Sequence, residues 1–395
     1  MHKKYINIAV IGTGFMGRTH SYSAANIPFF YDNLPFKPVL HSVCSRDKEK
    51  GEAVKNDWGF LRTESNIDKI LADSEIDVID ICTPNACHFD VILKALEAEK
   101  NIYCEKPLVI SSEQANKVTE KFKNSKNKSI CSVVFNNRFS PAILRAKQLM
   151  QEDRLGKIIS FRCLYLHNTH IESNKNKSPA GWRQDIDISG GGVLFDLGSH
   201  AIDLVRFLLA GENDEIDENN IESVFGTSQI FYQNNKNNKN NQDRQESTDE
   251  AFYMTIKLKS GAIGTIESSK LTTGANSDLS IEIYGEKGAL KYSLMQPNFL
   301  EFYDNTKSGG DFGGDKGFTR IECVQRYPKP GGIFPGAKAP IGWLRMHMHS
   351  YYLYLDSVYN GKLSDLLPSF YDGAAVQNIM EKAYLSDKTG TWEKI

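Results

Sequence analysis

Ile6-Asn7-Ile8-Ala9-Val10-Ile11-Gly12-Thr13-Gly14-Phe15-Met16-Gly17 decides how the rest of the chain is read. An apolar run of strand length ends in three glycines spaced G-x-G-x-x-G, and a helix-forming stretch follows at once. In that setting Gly12 permits a tight turn, Gly14 lets the backbone approach a pyrophosphate, and Gly17 lets helix and strand pack closely. The helix start presents free amide donors to an anion. The stretch therefore predicts the first βα unit of a dinucleotide-binding domain, with Gly12, Thr13, Gly14, Phe15, Met16 and Gly17 as cofactor-binding residues.

Working outward, short apolar runs recur at Pro38 to Cys44, Asp77 to Cys82, Asn101 to Cys104 and Ser129 to Phe135. A helix over His88 to Ala98 separates the middle two. Strands alternating with helices predict right-handed crossovers and a doubly wound parallel sheet. After residue 135 the pattern changes. Lys157 to Leu166, Phe252 to Lys259, Ala262 to Glu267, Ser280 to Tyr284, Ala289 to Tyr292 and Phe299 to Tyr303 read as strands of an open, mostly antiparallel sheet with one wet face. The expected fold is thus α/β followed by α+β. Residues 1–135 form a Rossmann domain, and residues 136–395 form a substrate-binding and oligomerisation domain whose final helices are free to pack back on the first. Those helices are expected around Ser350 to Tyr359 and Gly373 to Leu385. The asparagine-rich run Gln233 to Thr248 reads as a surface loop, and Asp304 to Pro340, with its paired glycines, as a lid.

The length of 395 residues suggests two domains or more, and the net charge of −2 provides no field to draw the chain to nucleic acid or anionic lipid. The apolar run after Met1-His2-Lys3-Lys4 stops at Gly12, too short for a signal peptide. Val193 to Ala210 carries Asp196, His200, Asp203 and Arg206 and is not a membrane span. Seven cysteines without a CxxC pair read as reduced thiols, so a cytoplasmic location is expected. No metal is expected either. His347 and His349 lack a carboxylate or cysteine close in sequence.

At the end of the second strand an acidic residue would bind the ribose 2′-hydroxyl and repel a 2′-phosphate. The chain has Ser45 there, then Arg46, which can pair with a phosphate, and Asp47, which would turn inward if the strand ended later. The cofactor is expected to be NAD or NADP, with Ser45 and Arg46 tilting the choice to NADP. Thr83, Pro84, Asn85 and His88 follow the third strand and are placed to line the cofactor cleft. Lys106, after Glu105 and before Pro107, falls at the carboxyl end of a parallel strand, where an ammonium can stabilise a developing oxyanion. Asp196 and His200, four apart, share one helix face, so the carboxylate can orient and tune the imidazole for acid–base work.

Taken together, the glycine turn, Thr83-Pro84-Asn85 with His88, Glu105-Lys106-Pro107, Asn136 to Pro141, Trp182-Arg183, Gly190-Gly191-Gly192 and Asp196-Leu197-Gly198-Ser199-His200 with Asp203 carry a resemblance. The chain resembles the glucose–fructose oxidoreductase/inositol dehydrogenase/rhizopine-catabolism (Gfo/Idh/MocA) family over nearly its whole length. Its spacing is most similar to members of the inositol- and levoglucosan-dehydrogenase type. The resemblance implies that Lys106, Asp196 and His200 are catalytic, with His200 as the acid/base and Asp196 as its partner, also touching the sugar. It implies cofactor contacts near the nicotinamide from the Thr83 region and Glu105. Asn137, Arg138, His167, Trp182 and Arg183, with Lys106, Asp196 and His200, are the expected substrate residues.

The implied activity is NAD(P)-dependent hydride transfer from a secondary alcohol of a sugar, cyclitol or anhydrosugar. The alternative is an enzyme that retains NAD and uses transient oxidation for elimination and re-addition without net redox. A non-enzymatic dinucleotide sensor is the third reading, and the intact Lys106, Asp196 and His200 speak against it. Expected partners are the polyol or sugar and further copies of the chain, as a homodimer or homotetramer through the second-domain sheet. Neither nucleic acid nor membrane is expected.

Overall fold

The computed structural model describes residues 4–125, 129–176, 181–209, 220–232, 248–324, 326–328, 332 and 339–395. It divides into two compact units. The first comprises 1–139 and 324–374, the second 140–323 and 375–395.

In the first unit the apolar runs become parallel strands: β1 (Lys4–Ile11), β2 (Phe36–Cys44), β3 (Arg62–Glu64), β4 (Val78–Ile81), β5 (Asn101–Glu105) and β6 (Cys131–Val134). Their order is β3-β2-β1-β4-β5-β6, every neighbour parallel. Helices α1 (Phe15–Phe30), α2 (Lys48–Trp58), α3 (Ile67–Ala72), α4 (His88–Glu97) and α5 (Ser112–Lys123) alternate with the strands. Strand order reverses between β1 and β4, which opens a crevice at their carboxyl ends, where ligands bind in such sheets. Several helix starts follow from side-chain caps. Asp47, Asn66 and Ser111 each accept a first-turn amide, of Lys50, Asp68 and Gln114 respectively.

In the second unit helices α6 (Pro141–Gln151), α7 (Thr169–Lys175), α8 (Ile186–Ser189) and α9 (Ser199–Leu209) accompany the strands. The strands are β7 (Ile158–Leu166), β8 (Ile221–Gln229), β9 (Ala251–Leu258), β10 (Ile263–Ser269), β11 (Asp278–Gly285), β12 (Gly288–Ser293), β13 (Phe299–Asp304), β14 (Phe318–Glu322) and β15 (Glu393–Lys394). They form a nine-stranded sheet in the order β14-β13-β12-β11-β7-β10-β9-β8-β15. Pairing is antiparallel apart from β7 against β10. The alternating burial along β9 and β11 reflects one covered face, on which α6 and α9 pack, and one open face. That open face presents Phe225, Tyr253 and Ile263 at 36–48% exposure, with Trp392 beside Phe225.

The last two helices are α10 (Trp343–Asn360) and α11 (Phe370–Thr389). They run longer than the apolar runs alone suggest, and α10 belongs wholly to the first unit, against α1. The Asp304 to Pro340 stretch does not stay a lid throughout. Its residues 318–322 are β14, hydrogen-bonded to β13 as the sheet's outer strand. The asparagine-rich run is outside the described residues up to 247. Among the described residues, no helix is long and apolar enough to cross a membrane. All seven cysteines are free thiols.

Candidate functional site

The two units each hold a cluster of candidate residues. In the first unit these lie along the carboxyl edge of β1, β4 and β5. Gly12 has φ +112°, and a Cβ there would stand 2.6 Å from the Cys82 carbonyl oxygen, so only glycine fits this turn. Gly14 differs: a Cβ on it would meet nothing within 4 Å. Its bare backbone faces open space at the N-terminus of α1, where the first-turn amides have no partner within the helix. Thr13 and Met16 are half-buried beside it, Gly17 is buried in the first turn, and exposed Phe15 stacks on Trp343 at 5.7 Å.

Across the crevice Thr83 follows β4, and its hydroxyl oxygen is buried without a hydrogen-bond partner among the described residues. An open phosphate cradle and an orphaned hydroxyl on adjacent strands fit a dinucleotide. Pro84 and Asn85 continue the same turn. His88 sits deeper: its Nδ1 and Nε2 lie 2.9 and 3.0 Å from the Pro107 and Thr83 carbonyl oxygens. Burial holds its pKa below the ordinary histidine value. His88 thus joins the Thr83 turn to the Lys106-Pro107 turn.

At the end of β2, Ser45 is buried and its amide donates to Glu64 O, whereas Arg46 is exposed. Asp47 does not turn inward. The strand ends at Cys44, and its carboxylate caps α2.

Lys106 is half-buried at the end of β5, with a cis peptide to Pro107. Its backbone amide donates to Glu105 Oε2 at 3.1 Å. Glu105 is itself buried, and its other oxygen meets His20 Nε2 at 3.1 Å. His20 Nδ1 donates to Asp80 Oδ1 at 2.8 Å, and the Tyr351 hydroxyl donates to Asp80 Oδ2 at 2.9 Å. His20, Asp80 and Tyr351 were not singled out from the sequence. His20 looks there like one polar residue on a helix, and only the packing of α1 over β4 and β5 reveals its partners.

Two expected substrate residues occupy the interior of this unit. Arg138 is 1% exposed, and its guanidinium reaches Asp372 Oδ1 at 3.2 Å. Asn137, in the same 3₁₀ turn, is buried, with its Oδ1 lacking a hydrogen-bond partner among the described residues. Arg138 is thus buried in an ion pair within this unit. His347 and His349 are two apart on α10 and point to different neighbours. The first lies against His20 and Trp343, and the second accepts from or donates to the Tyr31 hydroxyl at 3.1 Å.

In the second unit, Leu194–Gly198 forms a π-helical turn leading into α9, which carries Asp196 and His200. Asp196 Oδ1 accepts from Arg183 Nε at 3.2 Å, and its Oδ2 faces Lys270 Nζ at 2.9 Å. The structure sets this carboxylate between two cations, Arg183 and Lys270, and Lys270 carries no motif in the sequence. Lys270 follows β10 and is buried, which makes its ion pair to Asp196 costly to break. Arg183 lies over the Trp182 ring at 4.4 Å. The His200 ring meets the edge of Tyr165 at 5.8 Å, and His167 meets the same ring at 5.2 Å. His170, 3.1 Å from buried Glu250, completes the cluster at this end of the sheet. Asp196, His200, His167, Trp182 and Arg183 thus lie in one unit, around the ends of β7 and β10.

Comparison with known proteins gives concordant matches. A family model described as the oxidoreductase family, NAD-binding Rossmann fold, matches residues 6–135, and the GFO/IDH/MocA C-terminal domain matches residues 143–291. The levoglucosan dehydrogenase of Pseudarthrobacter phenanthrenivorans is 28% identical over 393 residues, covering 98% of this chain and 97% of that protein. The scyllo-inositol 2-dehydrogenase (NAD(+)) of Bacillus subtilis is 30% identical over 287 residues, 72% of this chain and 73% of its own. A solved levoglucosan dehydrogenase in complex with NADH and levoglucosan superimposes with a TM-score of 0.87 at 27% identity, covering 99% of this chain and all of that one.

Proposed function

The chain belongs to the GFO/IDH/MocA family of oxidoreductases with an NAD-binding Rossmann fold, and from that premise we propose that it is a dehydrogenase for a secondary alcohol of a sugar, cyclitol or anhydrosugar. NAD or NADP, when bound, supplies the acceptor for the hydride that leaves the alcohol carbon. The chain's residues handle the proton and the charge. His200 takes the hydroxyl proton as general base. Lys106 holds the oxygen as negative charge builds on it. Asp196, kept in place by Arg183 and Lys270, accepts a hydrogen bond from a neighbouring hydroxyl. For the cofactor, Gly12 to Gly17 receive the pyrophosphate, Thr83 to Asn85 and Glu105 flank the nicotinamide end, and exposed Arg46 pairs with a 2′-phosphate.

The observation that carries this reading is the carboxyl edge of β1, β4 and β5. There an open phosphate cradle, an orphaned Thr83 hydroxyl and a half-buried Lys106 fall on three consecutive strands. The test is a screen of inositols, anhydrosugars, aldoses and sugar acids with NAD and with NADP, read at the reduced-nicotinamide absorbance. A preference for NADP is expected, and equal use of both would remove the role given to Arg46. Lys106→Ala and His200→Ala should each lower turnover by roughly a hundredfold or more while leaving cofactor affinity nearly unchanged. Near-normal turnover in either variant would overturn its assigned role. Conversion of substrate with no net cofactor reduction would replace dehydrogenation by redox-assisted elimination.

A further inference from the structure

Two carboxylates lie buried on one imidazole beneath the Lys106 turn. Asp80 is 0% exposed and His20 is 1% exposed. His20 Nδ1 faces Asp80 at 2.8 Å, and His20 Nε2 faces Glu105 at 3.1 Å. A neutral imidazole has one N–H and can satisfy only one of these acceptors. With both acceptors ionised, only the doubly protonated ring satisfies the pair. Burial opposes a charge on His20, but Asp80 and Cys82 outweigh it, so the pKa stands well above the ordinary histidine value. The groups facing the ring come from three directions. Asp80 and Cys82 lie at the end of β4, Tyr103 and Glu105 on β5, and His347 and Tyr351 on α10.

We propose that His20 is a positioning residue for Lys106: it fixes the Glu105 carboxylate, whose second oxygen in turn holds the Lys106 backbone amide. The chain of contacts is continuous, from Tyr351 to Asp80, His20, Glu105 and the amide of Lys106. Its effect is to set where the Lys106 stem leaves β5, since an ammonium displaced by about 1 Å from a developing oxyanion loses much of its value.

The proposal rests on Lys106 being the group that stabilises the oxygen, and the experiment separates the two ideas. In the full-length protein labelled with ¹⁵N-histidine, one ring is expected to keep both nitrogens protonated at pH 8. Its signal should vanish in His20→Gln, and Glu105→Gln should lower its titration by roughly one pH unit or more. In His20→Gln the Lys106 amide should exchange with solvent at least tenfold faster. Turnover on the substrate found in the screen should fall roughly ten- to a hundredfold, with the cofactor dissociation constant within about twofold of the parent. Because His20→Gln risks misfolding, the charge state in the unaltered protein and the effect of Glu105→Gln stand as independent readouts. A neutral His20 at pH 8 overturns the proposal. So does a folded His20→Gln with parental turnover and unchanged Lys106 amide exchange, while Lys106→Ala is inactive. Parental turnover in Lys106→Ala would instead overturn the reading of Lys106 itself, and with it the purpose assigned to His20.

Discussion

Gly12 and Gly14 stand two residues apart in the same turn yet are glycine for different reasons. Gly12 has a left-handed φ and the Cys82 carbonyl against it, so it is required by the fold. Gly14 has room for a side chain inside the protein, and what it leaves open is space for a ligand. Gly12→Ala is therefore expected to destabilise the protein by about 1–3 kcal/mol in urea unfolding. Gly14→Ala should unfold like the parent but bind NADH at least tenfold more weakly by fluorescence titration. Loss of stability in Gly14→Ala, or unchanged affinity, would contradict the division. The same contrast explains what was legible at this scale. A glycine turn announces itself because few residues can replace it. His20 and Lys270 do not, because a polar side chain acquires its meaning only from partners sixty or more residues away.

Among the elements, five of the six strands of the parallel sheet are readable because burial on both faces writes them as apolar runs. Strands missed by that signal have physical reasons for being inconspicuous. β3 and β15 contain three and two residues, too few for a pattern. β14 is exposed along most of its length and sits in a glycine-rich stretch, so neither face is marked by hydrophobicity. The turn bearing Asp196 reads as plain α-helix in the sequence, whereas it is π-helical and packs against β10, a contact that no local spacing encodes. On the nine-stranded sheet the open face carries Phe225, Tyr253 and Ile263 between polar neighbours, with Lys257 over the Trp392 ring. We propose that a second copy of the chain covers it. Tyr253→Glu with Ile263→Glu should then shift the mass measured by light scattering from dimer or tetramer to monomer. An unchanged dimer or tetramer mass would place assembly elsewhere, and a monomeric parent would overturn the proposal.

At the scale of the whole chain, the division into units departs from a simple cut at residue 135. Residues 324–374 belong with the first sheet. Tyr351 binds Asp80, the Tyr103 hydroxyl meets Ser350, Tyr354 donates to Ile130 O, and the β6 residue Ser132 donates to Pro368 O. Arg138 makes its buried ion pair with Asp372 in the same segment. A fragment of residues 1–139 made alone is accordingly expected to lack a cooperative unfolding transition and to bind NADH weakly. Adding 324–374 through a flexible linker should restore both. A fragment 1–139 with a sharp transition would show that the later segment is decoration.

The buried pair between Arg138 and Asp372 also bears on the order of events during synthesis. The strands of the first sheet are made before the residues that seal its interior, and Asp372 follows Arg138 by 234 positions. At about 5–20 residues per second, that interval lasts roughly ten to fifty seconds. Throughout it the uncapped guanidinium of Arg138, the carboxylate of Asp80 and the apolar edge beside β6 lack their final partners. Until residues 324–374 have been made, the first unit stands open.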